Sequence, residues 1–108
     1  MKTLRLLTVA LGVSLVSMVA HAQDADAAKA LLKKNDCFKC HAIDKKKDGP
    51  SYKEIAGKRK GEAGAADKLF KHMTTAPMVE VDGQKEEHKK IKGTDEQINN
   101  LIGWILSL

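Results

Sequence analysis

The chain has 108 residues, 43% of them hydrophobic but only 4% aromatic, and its 19 Lys and Arg against 14 Asp and Glu give a formal charge of +5. At roughly 100 to 200 residues per domain this length holds one small domain and excludes a large enzyme. The hydrophobic fraction overstates the core, because much of it lies in the first 22 positions.

There Lys2 and Arg5 precede the apolar run Leu6 to Ala20, which ends in the small residues of Ala20-His21-Ala22. A basic start, an apolar stretch and a small-x-small site follow the order of a secretory signal, so residues 1–22 read as a signal peptide cleaved after Ala22. The alternative, a retained membrane anchor, fits poorly because the run is shorter than the ~20 residues that span hydrocarbon. Residues 23–108 are then the mature domain, expected to be exported and soluble. Those 86 residues carry 17 basic and 14 acidic side chains, a balance of +3 once Lys2 and Arg5 are removed. A domain of this size buries only about 60 to 65% of its unfolded surface and commonly needs an internal staple. With Phe38, Tyr52, Phe70 and Trp104 as its only aromatics, something else must help fill the core.

From Asp24 to Asn35 the pattern is helical, with Ala27, Ala28, Leu31 and Leu32 on one face and Asp24 or Asp26 as N-cap. This helix leads directly into the cysteines. The charged run Asp44 to Pro50 ends in Asp48-Gly49-Pro50 and reads as a loop. Ser51 then caps a short helix through Tyr52, Ile55 and Ala56, which Gly57 and the basic stretch Lys58-Arg59-Lys60 bring to an end. A third helix fits Ala65 to Met73, with Leu69, Phe70 and Met73 as its apolar positions.

Between Thr74 and Gly93 helical periodicity is lost; Val79 and Val81 alternate ahead of Asp82-Gly83, which allows a small hairpin. Loops this long inside compact domains are usually functional. The last helix is the best marked: Thr94 and Gln97 make a capping box, and Ile98, Leu101, Ile102, Ile105 and Leu106 form an apolar stripe beside Trp104. The reading is all-α, with about four helices and one long loop.

The segment that carries chemistry is Cys37-Phe38-Lys39-Cys40-His41. In a C-x-x-C-H the two thiols add across the vinyl groups of haem to give thioethers, and the adjacent histidine is delivered to the iron. Covalent attachment keeps the cofactor in a domain too small to enclose it well, which answers the deficit noted above. Other readings fit less well. A thioredoxin-like C-x-x-C belongs after a strand in a βαβ unit, whereas a helix precedes this one. Zinc wants four ligands, and there is no further cysteine. A disulfide across two residues would close a very small loop and leave His41 without a role.

The chain resembles the class I bacterial cytochromes c, the small periplasmic monohaem type, over nearly all of its mature part. The likeness runs through Cys37-Phe38-Lys39-Cys40-His41-Ala42-Ile43-Asp44, Gly49-Pro50-Ser51-Tyr52-Lys53 and Trp104-Ile105-Leu106-Ser107. It implies one covalent haem c held between N- and C-terminal helices that cross near Trp104. It also implies that the Pro50 carbonyl accepts the Nδ1 proton of His41, which orients the ring and makes it a better donor to iron.

In that family a methionine from the long loop, commonly followed by proline, takes the distal position, and here the chain departs from the pattern. The candidates are His72, Met73, Met78 and His88. Met78, preceded by Pro77, is the ordinary choice. When the C-terminal helices of the family are laid over one another without gaps from Trp104 back past Thr94, the distal position falls on His88, and Met78 lies ten residues earlier, inside an insertion built around Asp82-Gly83. The likeness therefore implies His41 and His88 as paired axial ligands, with Met78 as the alternative. Plainer roles exist for each: His88 as an exposed residue among Glu86, Glu87, Lys89 and Lys90, Met78 packed over the haem edge, His72 exposed beside Lys71, and Met73 on its helix's apolar face.

A haem iron with two protein ligands has no open position for oxygen or peroxide, so the expected function is electron transfer in the periplasm. The competing class, a haem sensor or peroxidase-like enzyme, lacks the distal arginine that peroxide cleavage wants, since the only mature arginine is Arg59 in a basic run. The expected haem lining is Leu31, Leu32, Phe38, Ile43, Tyr52, Ile55, Leu69, Phe70, Leu101, Ile102 and Ile105, and Tyr52 is a candidate donor to a propionate. Lysines 45, 46, 47, 53, 58 and 60 cluster before the third helix, while Glu80, Asp82, Glu86 and Glu87 decorate the late loop. Such a dipole steers weak docking to redox protein partners and fades with salt. Two propionates bring the mature charge to about +1, which gives no reason to expect nucleic acid. A monomer is expected, with membranes met only through partner complexes.

Overall fold

The Asp24 side chain accepts a hydrogen bond from the Ala27 amide and starts helix α1, Ala25–Lys34, in which Ala28, Leu31 and Leu32 are buried. The structure, a computed structural model, describes residues 23–108; the expected signal peptide lies outside the described residues. At the far end of α1 Asp36 adopts a left-handed conformation (φ 58°) and turns the chain into a 3-10 turn, Cys37–Lys39.

Ser51 caps helix α2, Tyr52–Arg59, by accepting from the Glu54 amide. This helix continues past Gly57, where an end was expected. Glycine in a helix costs roughly 0.5–1 kcal/mol, too little to break it, and a Glu54–Lys58 pair spans the position at 3.2 Å. Helix α3, Ala65–Thr74, follows Gly64 in the left-handed region. The capping box of Thr94 and Gln97 forms as expected and opens helix α4, Asp95–Leu106.

Between α3 and α4 the possible hairpin is present. Strands β1, Met78–Val81, and β2, Gln84–Glu87, pair antiparallel with Met78 opposite Glu87 and Val81 opposite Gln84. Asp82 and Gly83 both have positive φ (49° and 77°), the pair of conformations that a two-residue type I′ turn requires.

The core forms where α1, α2 and α3 pack on α4. One cluster joins Ala28, Leu31, Leu32, Tyr52, Leu101, Trp104 and Ile105; a second joins Leu69, Ile98 and Ile102. The contact of the terminal helices is fastened at its rim by Asn100, whose side chain accepts from the Asp24 amide at 2.8 Å and donates to the Asp24 carbonyl at 2.9 Å. The result is the expected mostly helical architecture, with four α-helices and one hairpin among the described residues.

Candidate functional site

The turn Cys37–Lys39 is held by two hydrogen bonds to the Cys37 carbonyl, from the amides of Cys40 (3.2 Å) and His41 (3.0 Å). That single turn brings both thiols and the imidazole to one cavity. Neither cysteine is in a disulfide; Cys37 is half-buried and Cys40 exposed. Burial pushes the Cys37 thiol above its ordinary pKa.

The following loop is folded back against the histidine. The Gly49 amide donates to the Cys40 carbonyl at 2.7 Å, and the amides of Tyr52 and Lys53 donate to the carbonyls of Ala42 and Ile43. This places Pro50 where its carbonyl meets His41 Nδ1 at 2.7 Å, the contact the resemblance implied. With Nδ1 so engaged as donor, the unprotonated Nε2 is left to bind a metal. Gly49 lies so close to the ring that a Cβ built on it would stand 2.6 Å from Cε1 and 2.9 Å from Nδ1 of His41.

Tyr52 is 3% exposed, more deeply buried than a half-exposed tyrosine. Its ring lies 5.2 Å from that of His41 and 6.3 Å from that of Trp104. Burial, reinforced by the two nearby cysteines, holds the pKa of its hydroxyl well above the usual phenol range.

Opposite His41 stands His88, with ring centroids 6.3 Å apart and planes at 51°. It follows β2 immediately, and its amide donates to the Pro77 carbonyl at 2.8 Å, which adds one rung to the hairpin ladder. His88 Nδ1 contacts the Lys89 carbonyl at 2.9 Å, leaving Nε2 as its free nitrogen. Burial lowers its pKa, partly countered by that bond, so the neutral ring is favoured. Beside it, 4.5 Å away, is the ring of His72, which is exposed as expected yet also lines the cavity, where partial desolvation lowers its pKa. Met78, by contrast, is 63% exposed and does not line the cavity.

Between the two histidines is a cavity of about 410 Å³ with predominantly apolar walls. Leu32, Tyr52, Ile55, Leu69, Leu101 and Ile105 line it as expected, together with Met73, Val79, Val81 and Ile91. Leu31 and Ile102 belong instead to the helix-packing core, while Phe38, Ile43 and Phe70 pack at its margins. Among the described residues no three His, Cys, Asp or Glu side chains converge to hold a bare metal ion. An apolar cavity flanked by two thiols and two facing imidazoles fits a haem, whose macrocycle supplies the remaining donors. Arg59 is engaged by Glu62 at 3.1 Å and is absent from the cavity wall.

Sequence reasoning gave no site role to Gly49 or Asn35, and named His72 as a distal candidate only to favour an exposed position for it. For Gly49 a signal was present in the Gly-Pro pair; for Asn35 and His72 it lay in contacts across the fold.

The family model for cytochrome c matches residues 25–108. A cytochrome c-551 from Stutzerimonas stutzeri is 35% identical over 108 residues, covering 100% of this chain and 99% of that protein. A cytochrome c-551 from Pseudomonas aeruginosa is 41% identical over 91 residues, 84% of this chain and 86% of the other. Among solved structures, the class 1 cytochrome MtoD from Sideroxydans lithotrophicus ES-1 superposes with a TM-score of 0.78 at 53% identity, covering 80% of this chain and 97% of its own. Matched over the C-x-x-C-H turn, the proline beside the histidine and the packed terminal helices, this chain belongs to the cytochrome c family, as a class I monohaem electron carrier of the c-551/c-552 group that binds haem c covalently through Cys37, Cys40 and His41.

Proposed function

We propose that the chain is an exported, periplasmic one-electron carrier whose haem iron is held by His41 on one side and His88 on the other. The observation that carries this reading is the separation of the two rings. A metal–imidazole bond of about 2.0 Å, plus about 1.2 Å from nitrogen to ring centre, taken on both sides of one ion, gives about 6.4 Å; the rings stand 6.3 Å apart. Each ring has its Nδ1 engaged by a backbone carbonyl, so each offers Nε2. The exposure of Met78 counts against a thioether as the distal ligand.

The haem supplies a ferric/ferrous couple. The chain's residues keep that couple confined to electron transfer. Two fixed imidazoles leave no open position, and the apolar walls exclude water. Gly49, Pro50 and Tyr52 hold the proximal ring from three sides, so little rearranges when the charge on the metal changes. Imidazole is a stronger donor than a thioether and favours the ferric state, which places the reduction potential below that of a methionine-ligated relative.

The signal-like residues 1–22 support export, and cofactor attachment through reduced thiols is compatible with it. Partners are redox proteins that dock weakly over a small surface. Four of the six clustered lysines already engage the chain itself: Lys47 the Phe38 carbonyl, Lys53 Asp44, Lys58 Glu54 and Lys60 the Leu108 carbonyl. Exposed pairs of this kind contribute little to stability and keep their charge available to a partner.

His88→Ala tests the ligand pair. The expected variant keeps its covalent haem but becomes high-spin and binds carbon monoxide rapidly once reduced. A variant with the parent's low-spin spectrum and slow carbon monoxide binding would overturn the assignment.

A further inference from the structure

The segment that carries His88 is tied to the helical body by a buried amide. Asn35, at the C-terminal end of α1, is 3% exposed and one of two buried polar residues among the described residues. Its Nδ2 donates to the Leu31 carbonyl at 3.0 Å and to the Lys92 carbonyl at 3.1 Å, while its Oδ1 accepts from the Lys92 amide at 2.7 Å. The side chain thus pairs with the Lys92 peptide group as a neighbouring strand would. Asn35 also belongs to the cavity wall.

Two further bonds fix the rest of the segment. The His88 amide donates to Pro77 and the Ile91 amide to the Met73 carbonyl at 2.9 Å. The exposed Lys89–Asp36 pair at 3.3 Å adds little. Of these ties, the Asn35 pairing reaches from α1, the helix that leads into the C-x-x-C-H turn. It therefore fixes the distal segment relative to the element that presents the proximal histidine.

We infer that Asn35 is a positioning residue for the distal ligand: its amide clamp on Lys92 holds the 88–92 segment so that His88 stays within reach of the iron. This inference rests on His88 as the distal ligand. Opening that segment requires breaking the Lys92 pairing; without the Asn35 amide the closed segment leaves the Lys92 N–H and C=O short of that partner, and opening to water satisfies them instead of costing two bonds. Loss of the clamp therefore raises the rate at which the distal position opens, beyond any general loss of stability.

The test uses the haem-loaded protein. Capture of carbon monoxide by the reduced form at saturating gas reads the rate of distal opening. Asn35→Leu, which keeps the branching at Cγ but has no hydrogen bonds, is expected to open about tenfold faster than the parent, the factor that one buried hydrogen bond of typical strength carries. The comparison variant is Ala28→Gly, fully buried in α1 and away from the cavity; it lowers the denaturation midpoint but keeps the parental capture rate. An Asn35→Leu protein that is less stable yet captures at the parental rate overturns the inference and leaves Asn35 a general packing residue. A methionine-to-iron charge-transfer band in the parent, or fast capture by the parent itself, instead removes the underlying His88 reading. Should Asn35→Leu not fold, amide hydrogen exchange of the parent decides. The Lys92 amide is expected to be protected and to exchange in step with that of His88, whereas an unprotected Lys92 amide overturns the clamp.

Discussion

Gly49→Ala is a single-methyl change whose outcome follows directly from the coordinates. The added Cβ would lie 2.6 Å from Cε1, 2.9 Å from Nδ1 and 3.1 Å from Nε2 of His41. These are atoms of a rigid ring, not the end of a flexible chain, and the ring cannot slide away freely. Its Nδ1 is bonded to the Pro50 carbonyl at 2.7 Å, and Tyr52 packs at 5.2 Å. Either the loop shifts outward or the ring tilts, and both stretch the Nδ1 bond. Overpacking of this type costs about 1–3 kcal/mol of stability. A second effect is electronic: a weaker bond at Nδ1 makes His41 a poorer donor and disfavours ferric iron. If the weakened bond distinguishes the two oxidation states by about 0.5–1 kcal/mol, the potential rises by roughly 20–40 mV, at 59 mV per tenfold for one electron. Denaturant unfolding and protein-film voltammetry of the loaded protein read the two quantities separately. A variant with the parent's midpoint and the parent's potential would show that Gly49 does not constrain the proximal ring.

Three other changes follow from the same geometry. Gly57→Ala, at an exposed position inside α2 with no atom within 4 Å of the new methyl, should raise unfolding stability by about 0.5–1 kcal/mol, and a loss would mean that α2 is not helical there. Met78→Leu should leave the visible and electron paramagnetic resonance spectra of the oxidised protein unchanged; a change of spin state would restore Met78 as a ligand. Burial lowers the His72 pKa below 6.5, so the unfolded chain takes up that proton more readily than the folded one. The stability His72 contributes is then present above about pH 6.5 and lost as pH falls through the lowered value. Between pH 7 and pH 5, an interval that brackets the ordinary histidine pKa of about 6.5, the parent's denaturation midpoint should fall further than that of His72→Gln. Equal falls would contradict the partial desolvation of the His72 ring at the cavity wall.

What the chain reveals before folding follows from how local each feature is. Cys37, Cys40 and His41 occupy one turn because the thioethers and the proximal bond meet on one macrocycle, so their spacing survives as a sequence motif. Asp82-Gly83 and the Thr94–Gln97 box are equally legible, since each device consists of adjacent or nearly adjacent residues with restricted chemistry. Gly57 misled the reading because its helix cost is small beside the packing of Tyr52 and Ala56, the buried residues of α2 that precede it. The haem wall was only partly legible. Leu31 and Leu32 are neighbours with equal hydrophobicity and both join the core, and only the rotation of α1 against α4 lets Leu32 also reach the cavity. Asn35 and Lys92 are 57 positions apart, and a side-chain amide clamped on a distant peptide leaves no mark in periodicity. His72 is exposed, as its neighbour Lys71 suggested; what the chain does not show is its place beside His88, which depends on the hairpin returning the chain to the end of α3.

The central claim is that two imidazoles hold the iron of this carrier. The most direct measurement is near-infrared magnetic circular dichroism of the oxidised, haem-loaded protein, read together with its red-region absorption. The account predicts the porphyrin-to-iron transition of a bis-imidazole ferric haem and no methionine-to-iron band. A clear methionine-to-iron band in the parent protein would contradict it.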